Sequence, residues 1–418
     1  MLDINLIREN PEQVKEGVKK KGVDPKLVDR FLQFDEKWRE EMSALDNLRA
    51  EQNELSKKIA EHKKEELLSR AQVLKKQISK IEKEKLKFKE KRSETLSQLP
   101  NLPFEDIVVG ENESDNKVVE EAGDKPDFNF IPKNYMELGE KLNLINTKKA
   151  AEVAGSRFGY LIGDAAVMEF ALIRLAFDVL LENDFIPIVP PAMMHPEIMR
   201  KMGKGKFIDE KDVFYVNDDD LYLIGSSEHS IGPFHMNEKF EEKDLPVKYA
   251  GFSTCFRREA GSYGKDTRGI LRVHQFDKVE MFVFSHPDKS EEMQKEMVSI
   301  QKKLMHKLNI PYRLVEICTG DMGWGDAKQY DIEAWFPSEN KYRETHSCSN
   351  TTDFQARGVN TKFQPESGGK PKLVHMLNGT AFAIGRTLIA IIENNQTEKG
   401  TIKVPEALQE YLGKSEIK

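Results

Sequence analysis

Residues 256–284, FRREAGSYGKDTRGILRVHQFDKVEMFVF, crowd four arginines, two lysines, four carboxylates and three glycines into 29 positions. A β-type run ends at Arg257 and Glu259. A glycine-rich, charged stretch follows, with Gly261, Gly264, Lys265, Asp266, Arg268 and Gly269. A second β-type run, Arg272 to Phe284, carries Phe276 and Glu280. Strand, cationic loop and strand predict an antiparallel pair with its positive charge at one end. Arginine suits a phosphate because its planar fork makes two parallel hydrogen bonds. An aromatic ring at the same mouth can stack on a nucleobase. A polar hairpin with surface ion pairs is the plain alternative, and it gives no reason for so much charge among three glycines.

Such a pair needs a scaffold, and 418 residues allow two or three domains. Charged residues form 32% of the chain, against about 25% in an ordinary soluble protein. That excess points to a long solvated helix or a disordered tract. The net charge of −7 excludes a generally basic nucleic-acid coat but not a local basic face. Cys255, Cys318 and Cys348 lie far apart with no CxxC pair. They make neither a disulfide framework nor a structural zinc site of the usual spacing. The start, MLDINLIREN, lacks a signal-peptide pattern, and no apolar run approaches a membrane span. The expectation is a soluble, reduced, cytoplasmic protein with no membrane partner.

Residues 1–26 read as a short helix and a turn. Val28 to Glu61 contains no glycine or proline, and Phe31, Phe34, Trp38, Leu45, Leu48, Leu55 and Ile59 recur at 3-4 spacing. The register breaks near His62, expected as a solvated turn residue. A second run follows: Leu67, Ala71, Leu74, Ile78, Ile81, Phe88 and Leu99, with Lys85, Arg92 and Thr95 as polar interruptions. Two adjacent segments of this period predict helices folded back on each other, over about 28–98. Each arm would be roughly 50 Å long. Residues 28–61 carry a net −3 and residues 62–98 a net +6. The second arm is either a solvated face or a track for a phosphate backbone.

Pro100-Asn101-Leu102-Pro103 ends the hairpin, and the acidic stretch to about residue 130 reads as a linker. Beyond it, Phe158–Ile162, Phe185–Val189, Leu221–Ile224, Tyr249–Phe256, Lys278–Phe284 and Arg313–Ile317 read as strands. Ala165–Asn183 and Lys289–Leu308 read as helices. The fold class is therefore α+β: an N-terminal coiled-coil hairpin (1–100), a linker (101–130), and an antiparallel sheet flanked by helices (131–418).

Segment 256–284 resembles motif 2 of the class II aminoacyl-tRNA synthetases, in the form used by the seryl-tRNA synthetases. LNGTAFAIGRTLIAIIEN, from Leu377, resembles motif 3. Gly163 to Pro191 resembles motif 1, the dimer-forming segment, whose helix carries Ala165, Met168, Leu172, Leu175 and Val179 at core spacing. TGDMG (319–323), YDIEAWFP (330–337) and RETHSCSNTTDFQAR (343–357) agree as well, and the hairpin resembles the family's tRNA-binding arm. Order and spacing agree over nearly the whole chain.

The resemblance implies ATP-dependent activation of L-serine, then transfer to tRNA(Ser), by a homodimer in which one subunit's arm guides tRNA into the other's site. It assigns Arg257 to the α-phosphate and the serine carboxylate, and Arg386 to the γ-phosphate; these are the expected catalytic pair. Arg258, Glu259, Val273, Phe276, Thr345 and His346 complete the ATP set, with Glu259 on the adenine amino group and Phe276 stacked on the base. Glu344 and Ser347 would serve Mg2+, a hard ion that takes oxygen ligands. Ser226, Ser227, Glu228, Glu280, Asn378 and Thr380 would hold serine. Lys75, Lys76, Lys80 and Lys83 would meet tRNA.

Four positions depart from the family's commonest pattern. Ser226 stands where threonine is usual, and Thr380-Ala381 stands where Ser-Gly is usual. Gly358 stands where a second arginine is common. The first two keep a hydroxyl, and Thr380 adds a methyl group. Cys348, close to the metal motif, is expected to be a packed thiol. Two other readings remain: a synthetase paralogue that loads a small amino acid onto a carrier protein or other acceptor, and a coiled-coil scaffold with a decayed catalytic domain. The complete arm weighs against the first, and the set Arg257, Glu259, Glu344 and Arg386 against the second.

Overall fold

The computed structural model describes residues 1–61, 65–260 and 268–418. His62, Gly261, Gly264, Lys265 and Asp266 lie outside them. The chain forms two compact units, Leu2–Leu102 and Pro103–Lys418.

The first unit is helical: α1 (Ile4–Glu9), α2 (Pro11–Lys20), α3 (Lys26–Glu61) and α4 (Glu65–Ser97). The Asp3 side chain caps α1, and Pro11 opens α2, where a missing N–H costs nothing. At 36 residues, α3 is about 54 Å long. Leu45 and Leu55 of α3 meet Leu74 and Ile78 of α4, with Leu48, Ile59, Leu67, Ala71 and Ile81 packed around them. These are the positions the 3-4 spacing singles out.

One buried residue in the hairpin breaks that pattern. Asp35 is fully buried and faces three guanidiniums: Arg8 at 2.8 Å, Arg39 at 3.1 Å and Arg92 at 2.7 Å. Arg92, read from the sequence as an interruption, also lies 4.6 Å above the Trp38 ring. It joins α4 to α3 through both charge and an aromatic face. Burial alone would raise the Asp35 pKa, but Arg8, Arg92 and Arg39 outweigh it and hold the carboxyl below its ordinary value.

The second unit is built on eight strands: β1 (Lys117–Ala122), β2 (Ile186–Ile188), β3 (Val247–Phe256), β4 (Gln275–Ser285), β5 (Tyr312–Glu316), β6 (Lys328–Phe336), β7 (Lys341–Asn350) and β8 (His375–Ala383). Their order is β1-β5-β6-β7-β8-β4-β3-β2, antiparallel except for β2 beside β3. Helices α5 (Asp164–Leu181), α6 (Ser290–Lys307) and α7 (Ile384–Asn394) contribute to the core with one sheet face. Val279, Met281 and Val283 of β4 point into that core, together with Leu377, Cys348 and the α5 residues Ala165, Met168, Leu172, Leu175 and Val179. The alternate β4 positions face the other way. Cys348 is a packed thiol, as expected.

Three expectations need correction. The stretch expected to be only a linker contains β1, which pairs with β5 at the sheet edge. Its acidic, exposed sequence suits an edge strand with a single neighbour, and so hides it from an apolar-pattern reading. The second motif 2 strand starts at Gln275, not Arg272, because the His274 N–H leaves the ladder to donate to Arg157 O at 2.9 Å. Leu221–Leu223 and Tyr160–Leu161 are strands of small separate sheets. Among the described residues, no helix is long and apolar enough to cross a membrane.

Replacing Asp35 by Ala leaves three arginines around an empty carboxylate site. Asp35→Ala should destabilise the helical unit by about 3–5 kcal/mol, read as an earlier urea transition in far-UV circular dichroism. Since the folded pKa is lowered, the wild-type contribution is full above the ordinary value, near pH 4, and fades as pH falls through the lowered one. An unchanged urea midpoint would remove Asp35 from the stability of the hairpin base.

Candidate active site

The sheet face opposite the helices carries most of the residues expected to do chemistry. On β4, Phe276, Lys278 and Glu280 alternate onto it. Asn378 and Thr380 of β8 lie alongside, followed by Ser347 and Ser349 of β7. Farther down β4 the same face turns apolar: Phe282 and Phe284 pack with Ile231, Tyr249 and Met376 and close the end of the site.

Glu344 and Ser347 would fall on opposite faces of a regular strand, since side chains alternate. A β-bulge changes this. Ile332 pairs with His346 and Glu333 with Glu344, which leaves Thr345 as the extra residue. Glu344 then sits beside Glu333 and Ser347 beside Asp331, on one face. A second bulge, between β4 and β8, leaves Ala381 over and sets Thr380 opposite Glu280. The Thr380 hydroxyl donates to Glu280 Oε2 at 3.3 Å.

Two adjoining cavities open on this face. Arg257, Glu259, Val273, Phe276, Glu344, Thr345, Ser347, Thr380 and Arg386 line the first. Glu228, Arg257, Glu280, Ser347 and Asn378 line the second. Arg257 donates Nε to Gly225 O at 3.1 Å, and its guanidinium lies 5.4 Å from the Phe276 ring centre. Arg386, in the first turn of α7, donates to Glu344 O at 3.0 Å and pairs with its carboxylate at 3.2 Å. Glu259 pairs with Arg272 at 2.6 Å.

Four expected residues line neither cavity. Arg258 turns aside: it donates to Val213 O at 3.1 Å and lies over Phe214 at 4.7 Å. His346 is on the helix-packed face, near Phe382, because the bulge leaves it out of phase with Glu344. Ser226 and Ser227 are buried beside the short helix Glu228–Ile231, where the Ser226 hydroxyl accepts from the Glu228 N–H at 3.4 Å. Thr380 lines the first cavity rather than the second and reaches the second through Glu280.

Burial opposes charge on Glu344, yet Arg386 and Arg257 outweigh it and hold its pKa below the ordinary value. The same balance holds at Glu228: burial pushes up, but Lys204, His229 and Lys278 together hold it lower. For Lys204, burial is outweighed by Glu228 and Asp326, so its pKa is raised. Burial pushes Glu280 up, with Lys278 opposing. Burial lowers His346 to about 4, which keeps its ring neutral. Among the described residues no group of three His, Cys, Asp or Glu could hold a metal by itself. Glu344 and Ser347 fit an ion whose remaining ligands are waters and phosphate oxygens, the usual habit of Mg2+.

Lys204, Lys278 and Arg272, and Trp324, Asp326 and Gln329 of the second cavity, line the site without any role having been expected of them from the sequence. Lys278 and Arg272 were legible in principle: each lies within the charged segment, and Lys278 shares the alternation of Phe276 and Glu280. Lys204 had no local signal.

The chain is similar to known proteins over its whole length. The Seryl-tRNA synthetase N-terminal domain family matches residues 1–103, and the tRNA synthetase class II core domain family (G, H, P, S and T) matches residues 212–395. The serine–tRNA ligase of Thermococcus onnurineus is 42% identical over 445 aligned positions, covering 100% of this chain and 97% of the relative. The chain belongs to the seryl-tRNA synthetases. The serine–tRNA ligase of Dictyoglomus turgidum is also 42% identical, over 100% of this chain and 99% of its own. Among solved structures, the seryl-tRNA synthetase of Pyrococcus horikoshii complexed with ATP superposes with TM-score 0.92 at 41% identity, covering 100% of this chain and 99% of that one. The cytoplasmic serine–tRNA ligase of Naegleria fowleri in complex with AMP gives 0.87 at 38%, with the same coverage.

Within this synthetase fold, Gly358 has a steric reason. It lies on the helix Phe354–Val359, and a Cβ there would meet Lys201 O at 1.7 Å. A close approach to the helix Pro196–Lys201 occupies the space that a side chain would need. Gly358→Ala should cost about 1–3 kcal/mol through overpacking, read as a lower melting temperature. No loss would mean the two helices part freely.

Proposed function

We propose that this protein is an ATP-dependent serine–tRNA ligase that activates L-serine as seryl-adenylate and transfers it to the 3′ end of tRNA(Ser). The observation that carries this reading is the meeting of two cavities at Arg257: one holds an aromatic ring and arginines, the other buried carboxylates and an amide. The full-length likeness to serine–tRNA ligases, one of them seen with ATP, supports it.

The chemistry follows from charge. A serine carboxylate oxygen attacks the α-phosphorus of ATP, and pyrophosphate leaves. The nucleophile is already ionised, so no protein base is needed, and catalysis is mainly positioning and electrostatic stabilisation. Phe276 stacks on adenine and Glu259, steadied by Arg272, takes its amino group, with Val273 alongside through its backbone. Arg257 holds the α-phosphate against the serine carboxylate, and Arg386 holds the γ-phosphate. Mg2+ bound by Glu344 and Ser347 would supply a hard positive charge beside the phosphate oxygens. Glu228 and Glu280 take the serine amino group. Asn378, whose buried Nδ2 has no partner among the described residues, and Thr380, through Glu280, set the hydroxyl contacts. Alanine is rejected because it leaves buried polar groups unpaired.

The tRNA role rests on the hairpin. Lys75, Lys76, Lys80 and Lys83 are exposed; at about 100° per residue Lys76, Lys80 and Lys83 fall on the α4 face away from Leu74 and Ile78, and Lys75 lies on its flank. A homodimer is supported by apolar groups left exposed on α5 and after it: Val167 at 43%, Phe170 at 71% and Val189 at 80%. We infer that tRNA spans the two subunits. Three buried, unpaired thiols support residence in a reducing cytoplasm.

The deciding assay is pyrophosphate exchange with each of the twenty amino acids, then charging of total tRNA. Serine alone should drive exchange. Arg257→Ala and Arg386→Ala should each lower it by about 10²–10³. A variant that keeps more than about a tenth of the activity would lose its assigned phosphate. Neutralising Lys75, Lys76, Lys80 and Lys83 together should leave exchange intact, weaken tRNA binding, and flatten its salt dependence by up to about one slope unit per lost contact. Unaltered affinity and slope would make the basic arm a solvated face.

A further inference from the structure

Lys278 lies on β4 between Phe276 and Glu280, on the same sheet face and about 7 Å from each along the strand. Phe276 lines only the first of the two main cavities and Glu280 only the second, while Lys278 lines both. Its side chain is 8% exposed, and its Nζ is 2.7 Å from Glu280 Oε2. With the base at Phe276 and the amino acid at Glu280, the α-phosphate that the serine carboxylate attacks falls between them, beside Lys278.

We propose that Lys278 is a catalytic residue: a second cation beside Arg257 that leaves Glu280 and meets the α-phosphate when the amino acid binds. The proposal rests on the ligase reading. The serine ammonium and Lys278 compete for the same carboxylate. Once serine takes Glu280, Lys278 loses its partner just as new negative charge arrives beside it. The carboxylate oxygen forms its bond to the α-phosphorus, and the bond to the bridging oxygen breaks, its electron pair leaving on pyrophosphate. Lys278 keeps its protons throughout and acts only by charge. Lysine suits an exchange of partners because its ammonium is a compact point charge on a flexible stem. Arg257 is held by the Gly225 carbonyl and the Phe276 ring, and so serves as the fixed cation.

The plain alternative is that Lys278 only neutralises Glu280 and acts through it. A double-mutant cycle in the full chain separates the two. Lys278→Met, Glu280→Gln and the double variant are compared with the wild type in serine-dependent pyrophosphate exchange, with kcat and the serine KM resolved. ATP binding without serine is measured by calorimetry. Lys278→Met should lower kcat by about 10²–10³ and leave ATP affinity nearly unchanged. Added to Glu280→Gln, it should cost a further loss of similar size. Lys278→Gln gives the same comparison if the methionine variant does not fold. Two results would overturn the proposal: a kcat within about tenfold of wild type with only the serine KM raised, or a loss that disappears on the Glu280→Gln background. Wild-type protein that exchanges with no amino acid would instead overturn the ligase reading, and this inference with it.

Discussion

Thr345 is an extra residue in β7, and the site depends on the shift of phase it causes. Without the bulge, Glu344 and Ser347 would point to opposite sides of the sheet. With it, both face the cavity, and Arg386 on α7, which follows β8, pairs with the Glu344 carboxylate. The Ala381 bulge does the same for Thr380 and Glu280. Each bulge gives up regular pairing at one position and in return re-aims a functional side chain. Polar and charged residues from β4, β7, β8 and α7 therefore converge on one face, while their neighbours stay in the core.

That convergence raises a second constraint, because charges taken out of water need partners. The site meets it internally. Lys204 pairs with Glu228, Lys278 with Glu280, Arg272 with Glu259 and Arg386 with Glu344. A polar ligand can then enter by exchange of partners, without uncovering a bare buried charge. Asp35 in the helical unit is built on the same principle, but its three arginines make it a fixed joint between helices rather than a place for a ligand.

The two units divide the work in kind. The sheet unit is dense and precise, and its polar groups sit on strands whose register is tied on both sides. The hairpin is long and narrow, with a thin apolar seam and most of its charge exposed. The first arrangement suits differential binding of a transition state, and the second suits contact with an extended polyanion, where charge counts more than placement.

The elements themselves were legible in the residues. The 3-4 spacing of Phe31, Leu45 and Leu55 marks α3, and the alternation in DKVEMFVF marks β4, because each period is a direct consequence of backbone geometry. Arg257, Glu259, Phe276, Glu344 and Arg386 could be named in advance, because their motifs lie in order along the chain. The role of Asp35 could not be read, since its three partners come from residues 8, 39 and 92. β1 was hidden because an edge strand needs no apolar pattern. Arg258, His346, Ser226 and Ser227 belong to the right motifs but line neither cavity, since strand phase and helix burial decide where a side chain points. Lys204 carries no local mark, and only the fold brings it to Glu228. Sequence period and motif determined which segments form the site. The tertiary structure decided which side chains face it, because a bulge of one residue turns the side chains beyond it to the other face and ion pairs join residues that the chain keeps far apart.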